Sequence, residues 1–358
     1  MIDSRLRPIA FYLPQFHPIL ENDAWWGTGF TDWTNVAKAR PVFQGHYQPH
    51  VPGELGYYDL RQPEIRQAQA DLAQLYGLYG FCYYHYWFQG KRLLEQPFDA
   101  VLSSEQPNFP FCLCWANESW TRTWDDLGHR RLIEQRYSDE DDRMHIRWLM
   151  TAFRDRRYIR IEGKPLFLIY RARLLPDPKK TTAIWREEAQ RAGLGELCLC
   201  RVESFPNEHT DPVALGFDAA VEFQPDWANL PLGRKVLRRL SLEFGVNYHD
   251  IYDYLAFAKR MLKKPVPAYR RFPCIAPSWD NTARHPTRST ILRNSTPDTY
   301  RFWLSSVLAT FKPRAAREEP IFINAWNEWG EGSHLEPCQK WGRGYLEATR
   351  DALNSQGR

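Results

Sequence analysis

Pro320-Ile321-Phe322-Ile323-Asn324-Ala325-Trp326-Asn327-Glu328-Trp329-Gly330-Glu331-Gly332-Ser333-His334-Leu335-Glu336-Pro337 is an apolar run that ends abruptly in carboxylates, amides and indoles. A continuous apolar stretch suits a parallel strand covered on both faces, and its polar residues then fall at the strand's C-terminal end. The same arrangement recurs along the chain. Strands are expected at 9–13, 80–86, 111–116, 166–170, 197–202, 219–223, 274–277 and 321–326. Helices are expected at 64–76, 139–153, 181–192, 249–262, 297–311 and 345–353. Pro63 and Pro297 suit helix starts, and Gly77 and Gly193 suit helix ends. Eight such repeats in 358 residues predict an α/β chain, a (β/α)8 TIM barrel forming a single domain over 1–358. Long loop insertions are expected at 21–64 and 226–271. A doubly wound sheet would be expected to show a Gly-rich phosphate turn after an early strand, and none is present.

A barrel gathers its chemistry at the C-terminal ends of its strands. The expected ends carry Gln15 and His17; Tyr84, His85, Tyr86 and Trp87; Trp115, Asn117 and Glu118; Trp279 and Asp280; and Asn327 and Glu328, with Glu331 and Glu336 following. All of these are candidate substrate-binding residues, except Glu328 and Glu331, which are candidate catalytic groups. Paired carboxylates beside indoles fit cleavage or transfer of a sugar bond, with the acids moving protons and the aromatic faces holding pyranose rings. On a helical turn, a three-residue separation places side chains about 5–6 Å apart. That is near the roughly 5–5.5 Å between carboxyl groups in retaining enzymes. Crowding two carboxylates raises one pKa, so that one can keep its proton at neutral pH. Strand alternation puts Tyr84 and Tyr86 on one face and His85 and Trp87 on the other, and leaves open which pair points inward.

Composition narrows the field. Hydrophobic content of 43 % and charged content of 25 % are globular values, and 15 Trp is an unusually rich supply. Forty-seven basic against 43 acidic residues give +4, too small a charge to suggest nucleic-acid binding. No stretch approaches a membrane span. Met1-Ile2-Asp3-Ser4-Arg5-Leu6-Arg7-Pro8 shows no apolar signal core, so a cytoplasmic location is expected. Six of seven Cys lie in apolar strand-like runs, and the two C-x-C pairs lack zinc-site spacing. Neither metal nor cofactor is expected. The second insertion is basic, with Arg234-Lys235, Arg238-Arg239, Lys263-Lys264 and Arg270-Arg271. Such a run is either a solvated face or, through 234–271, a peripheral contact with anionic lipid or a lipid-linked glycan.

Several segments resemble the WbsX-type proteins, which carry a domain similar to glycoside hydrolase family 99, the endo-α-mannosidases and endo-α-mannanases. The resemblance is carried by Phe11-Tyr12-Leu13-Pro14-Gln15-Phe16-His17, Trp25-Trp26-Gly27-Thr28-Gly29-Phe30-Thr31-Asp32-Trp33, Gly80-Phe81-Cys82-Tyr83-Tyr84-His85-Tyr86-Trp87-Phe88, Cys114-Trp115-Ala116-Asn117-Glu118, Trp279-Asp280-Asn281-Thr282 and Asn324-Ala325-Trp326-Asn327-Glu328-Trp329. The resemblance implies a (β/α)8 barrel and a retaining mechanism. Glu328 would draw the proton from the sugar 2-hydroxyl, the sugar would close to a 1,2-anhydro intermediate, and Glu331 would serve as acid and then base. Three functions are therefore weighed. One is a glycan-cleaving or glycan-transferring enzyme acting at a mannose- or rhamnose-configured residue in surface polysaccharide metabolism. The others are a cytoplasmic glycosyltransferase of polysaccharide biosynthesis and a non-catalytic glycan-binding barrel. Each takes an oligo- or polysaccharide partner, free or lipid-linked, and oligomeric state is left open.

Overall fold

The computed structural model describes residues 6–122, 130–205, 208–230, 248–311 and 318–355. Among them a parallel barrel is built from β1 (Leu6–Tyr12), β2 (Gly80–Phe88), β3 (Phe111–Trp115), β4 (Lys164–Ile169), β5 (Cys198–Glu203), β6 (Ala219–Glu222), β7 and β8 (Glu319–Ile323). Strand β7 comes as two short pieces, Arg271–Phe272 and Cys274–Ile275, separated by Pro273. The first piece pairs with β6 and the second with β8, while β8 pairs with β1, so the ring closes. Proline lacks the N–H that a continuous ladder would need, and the strand changes partner across it. All eight expected strands are found, within a few residues of their expected bounds, in the order expected of a TIM barrel.

The helices follow their local signals. Pro63–Leu75 begins on a proline, Asp139–Phe153 is capped by Ser138, Pro178–Arg191 by Asp177, and Pro297–Thr310 by a Thr296/Thr299 capping box. The expected helix over 249–262 is shorter than anticipated. Asp250–Asp253 is instead a strand paired with Thr290–Arg293, and the helix is Tyr254–Leu262. The Asp253 carboxylate accepts the Ala256 N–H, so the cap, not the apolar pattern before it, sets the start.

Two aromatic layers fill the fold. Inside the barrel, Phe11 meets Tyr84, Phe223 and Phe322 at ring-centroid distances of 5.6, 5.4 and 5.4 Å, and Tyr170 lies 5.3 Å from Phe223. Outside it, Phe81 and Tyr83 pack against Tyr12, Phe98 and Phe109. All seven Cys are buried and free.

The first insertion folds over the barrel mouth. Its helices Leu20–Trp26 and Asp32–Lys38 bring Trp33 to 5.4 Å from Trp329. In the second insertion, Arg234, Lys235, Arg238 and Arg239 lie outside the described residues. The later basic residues do not form one solvated face. The Lys264 ammonium pairs with Glu222 and Asp226, Arg270 with Glu162 and Glu319, and Arg271 with Glu203. Only Lys263 of that group is exposed. Among the described residues no helix is long and apolar enough to cross a membrane.

Candidate active site

After β8 the chain makes a short antiparallel pair, Asn327–Glu328 with Ser333–His334, around the 3-10 turn Trp329–Glu331. Residues three apart on a 3-10 turn eclipse one another, so Glu328 and Glu331 leave the same side of it. Gly332 closes the turn at φ 58, in the left-handed region. Both glutamates line a cavity of about 290 Å³ at the barrel mouth, together with Gln15, Tyr84, Tyr86, Glu118, Trp120 and Arg284 among others. Tyr84, Tyr170 and Phe223 join the barrel's inner aromatic layer to this cavity.

Arg284 organises the acids. Its Nη2 lies 2.5 Å from Glu328 and 2.9 Å from Asp32, and its Nη1 lies 3.1 Å from Glu331. Asp32 is fully buried, and its carboxylate also accepts the Gly330 N–H at 3.2 Å. A methyl at Gly330 would fall 2.5 Å from the Asp32 carboxylate and 2.6 Å from the Arg284 Nε, so only glycine fits there. Three carboxylates thus surround one guanidinium in a poorly hydrated site. Burial is the largest influence on both glutamates and raises their pKa values, Glu328 to about 8, with Arg284 opposing and the neighbouring acids reinforcing. The pair therefore holds a proton near neutral pH, as one unit.

Glu118 lies on the opposite wall, ion-paired with Arg171, whose guanidinium sits 3.9 Å over the Phe205 ring. Asn117 fixes that pair without entering the cavity. It accepts the Arg171 N–H at 2.8 Å and donates to the Arg171 carbonyl at 3.0 Å. Asn327 plays a similar part for β1, exchanging hydrogen bonds with Leu13 N–H and C=O at 2.8 and 3.0 Å.

The remaining candidates point elsewhere. His85 and Trp87 face the helix Asp139–Phe153. The His85 Nε2 lies 3.0 Å from that of His145, and the Trp87 indole donates to Asp141 at 2.9 Å. Trp115 is buried against His145 and Trp185. These three are core residues because the odd positions of β2 and β3 face outward. His17 is buried, with Nδ1 3.0 Å from the Pro14 carbonyl, and burial lowers its pKa to about 4. Glu336 is also withdrawn from the mouth, accepting hydrogen bonds from Gln69, Tyr58 and Trp329 at 2.6, 2.8 and 2.6 Å. Trp279 and Asp280 line a separate cavity. Among the described residues no group of three or more His, Cys, Asp or Glu side chains is arranged to hold a metal ion. Arg284, Asp32 and Trp120 were not anticipated as site residues. Arg284 follows Asp280 by four positions and Asp32 lies within the Trp25–Trp33 motif, yet only the fold joins them.

A closed parallel barrel with acids and aromatic rings at its mouth is the architecture of the glycoside hydrolase-like TIM barrels. Over 99 % of its length the chain superposes on a glycoside hydrolase-like protein with a TM-score of 0.62 at 14 % identity, covering 95 % of that chain. It superposes likewise on the family 99 endo-α-mannosidase of Bacteroides thetaiotaomicron, with a TM-score of 0.59 at 15 % identity, covering 98 % of that chain. The protein belongs to the WbsX glycosyltransferase family, whose model matches residues 8–349. It is 45 % identical over 346 residues to uncharacterized protein WxcX of Xanthomonas campestris pv. campestris strain B100, and equally to that of strain ATCC 33913. Those matches take in 96 % of this chain and 49 % of the relatives, so the chain spans about half their length.

Proposed function

We propose that the protein acts on the glycosidic bond of a mannose-configured residue, mannose or a 6-deoxy relative, with net retention at the anomeric carbon. The observation that carries this reading is the attachment of Glu328 and Glu331 to opposite nitrogens of one buried guanidinium at the barrel mouth. In the first half-reaction the Glu328 carboxylate takes the proton of the 2-hydroxyl. O2 attacks C1 from the face opposite the leaving group, the C1–O bond breaks, and Glu331 in its acid form protonates the departing oxygen. In the second half an acceptor hydroxyl attacks C1 while Glu331 takes its proton, the C1–O2 bond opens, and Glu328 returns its proton to O2. Two inversions give retention. A raised pKa suits Glu328 for this, because a more basic carboxylate pulls harder on a weakly acidic sugar hydroxyl. Tyr84, Tyr86 and Trp120 offer ring faces and hydroxyls for the saccharide.

A second reading, favoured by the family's glycosyltransferase description, is that the acceptor is another glycan and the donor is a lipid- or nucleotide-linked sugar in surface polysaccharide assembly. Incubation with α-mannan and α-rhamnan oligosaccharides, for wild type and Glu331→Gln, tests the first reading. New reducing ends from wild type alone are expected. Elongated acceptor from an activated donor, without new reducing ends, selects the second. Equal product from wild type and Glu331→Gln rules out the two-glutamate chemistry in both.

A further inference from the structure

Behind the catalytic turn lies a second, larger cavity of about 440 Å³ that shares no lining residue with the first. The wall between them is one backbone thick. The Asp280 N–H donates to the Glu331 carbonyl at 2.7 Å, and the Ser278 hydroxyl to the Gly332 carbonyl at 2.5 Å.

The hydrogen bonds fix the protons in this cavity. Val42 N–H donates to His46 Nδ1 at 3.1 Å, so His46 carries its proton on Nε2 and donates it to Asp280 at 2.6 Å. Asp280, the one carboxylate among the described lining residues, is thereby engaged. His334 Nδ1 lies 3.0 Å from the Glu336 carbonyl, which only accepts, so that nitrogen bears the proton and Nε2 is bare. His50 Nδ1 lies 3.1 Å from this bare nitrogen and must donate to it. Burial lowers the His50 pKa to about 4, so at neutral pH its own Nε2 is a lone-pair acceptor. Two exposed cations line the cavity: Arg293, whose charge acts on the Asp253 carboxylate, and Lys340, whose charge acts on His50. The Lys340 ammonium sits 4.4 Å from the Tyr47 ring centroid and 5.0 Å from that of Trp341, held by both π faces.

We propose that this cavity binds an anionic sugar, a pyranose bearing a carboxylate or a phosphate, with the anion on Lys340 and a hydroxyl donating to His50. The cavity asks for both features in one ligand. A bare anion such as sulfate satisfies Lys340 but sets acceptor against acceptor at His50. A neutral sugar meets the His50 acceptor but brings no anion to the Lys340 ammonium. The inference takes its carbohydrate class from the proposed function, yet its geometry uses neither Glu328 nor Glu331.

Calorimetric titration of the full chain with D-glucuronic acid, D-glucose 1-phosphate, D-glucose and sodium sulfate tests it. At least one anionic sugar is expected to bind about tenfold or more tightly than either glucose or sulfate, the scale of one charge-assisted contact. The uronate and the phosphate arms show which anion the site takes. Lys340→Ala should abolish the preference and Lys340→Arg should keep it, while Glu331→Gln, expected to be catalytically dead, should bind like wild type. Glucose or sulfate binding as tightly as both anionic sugars, an unchanged Kd in Lys340→Ala, or no binding by any of the four overturns the proposal. Because Glu331→Gln separates turnover from binding, this failure is distinguishable from failure of the catalytic reading.

Discussion

Tyr84 and Tyr86 on one face of β2 and His85 and Trp87 on the other are four consecutive residues with opposite surroundings. The tyrosines line the acidic cavity, where burial pushes up their hydroxyl pKa values and the Glu328 charge adds to the effect. The outward pair lies in a neutral aromatic stack. His85 is nearly parallel to Trp148 at 4.6 Å, Trp87 to His145 at 4.7 Å, and burial takes His85 down to about 3. One face carries more negative charge than its single guanidinium balances; the other is saturated with ring contacts and carries none from its imidazoles. On the proposed mechanism, residues of similar chemistry would serve turnover on one side and stability on the other. Substitutions should separate the two.

The largest effect is expected at the inner acids. Glu331→Gln should lower kcat by about 10²–10⁴-fold, the usual contribution of a positioned acid–base group. It should not lower Tm, because it removes one of three carboxylates competing for Arg284. Initial rates and a thermal melt on the same preparation check both halves. A variant that melts early and keeps its rate per folded molecule would assign Glu331 to the framework.

Trp87→Phe should show the opposite signature. It removes the indole N–H from the Asp141 carboxylate at 2.9 Å and leaves a buried acid short of a partner. A cost of about 1–3 kcal/mol is expected in urea unfolding, with kcat unchanged for the folded fraction. A change in KM would mean that the outer face communicates with the sugar site.

How much of this was legible in the sequence depended on range. The eight strands, their order and the 328/331 pair could be read locally, since apolar runs, caps and turn residues act over a few positions. Facing could not. Period-2 alternation says that Tyr84 and His85 diverge but not which one the barrel takes inside, since that depends on how β2 registers against β1 and β3. The Asp32–Arg284 contact spans 252 positions and leaves no local trace. Glu336 looks like a third active-site acid only until the helix Pro63–Leu75 packs beside it and Gln69 supplies a donor.

Within the inner face, Tyr86→Phe sharpens the contrast with a smaller effect. It keeps the ring, which packs edge-on to Trp120 at 5.2 Å, and removes one cavity hydroxyl. A loss of about 0.5–1.5 kcal/mol in transition-state binding is expected, up to roughly tenfold in kcat/KM, with no change in Tm. An unaltered kcat/KM would leave Tyr86 as a ring platform alone.

The smallest predicted effect concerns pH. On the proposed mechanism turnover needs Glu328 ionised and Glu331 protonated, so the acid limb of the rate profile should report the first ionisation of the pair, which burial raises above the ordinary carboxylate range. Asp32 touches no cavity space but adds negative charge to the cluster, which raises Glu328 further, and it shares the Arg284 nitrogen nearest to Glu328. Asp32→Asn removes that charge and weakens the competition for the guanidinium. Both changes favour ionised Glu328, so the limb should move to lower pH while the maximal rate stays within a few-fold, about the cost of one altered contact. A limb that moves to higher pH would mean that Asp32 acts mainly by holding Arg284 in place. The cation would then leave Glu328 along with its anchor, and the order of influences within the acid cluster would be the reverse of the one argued from its geometry.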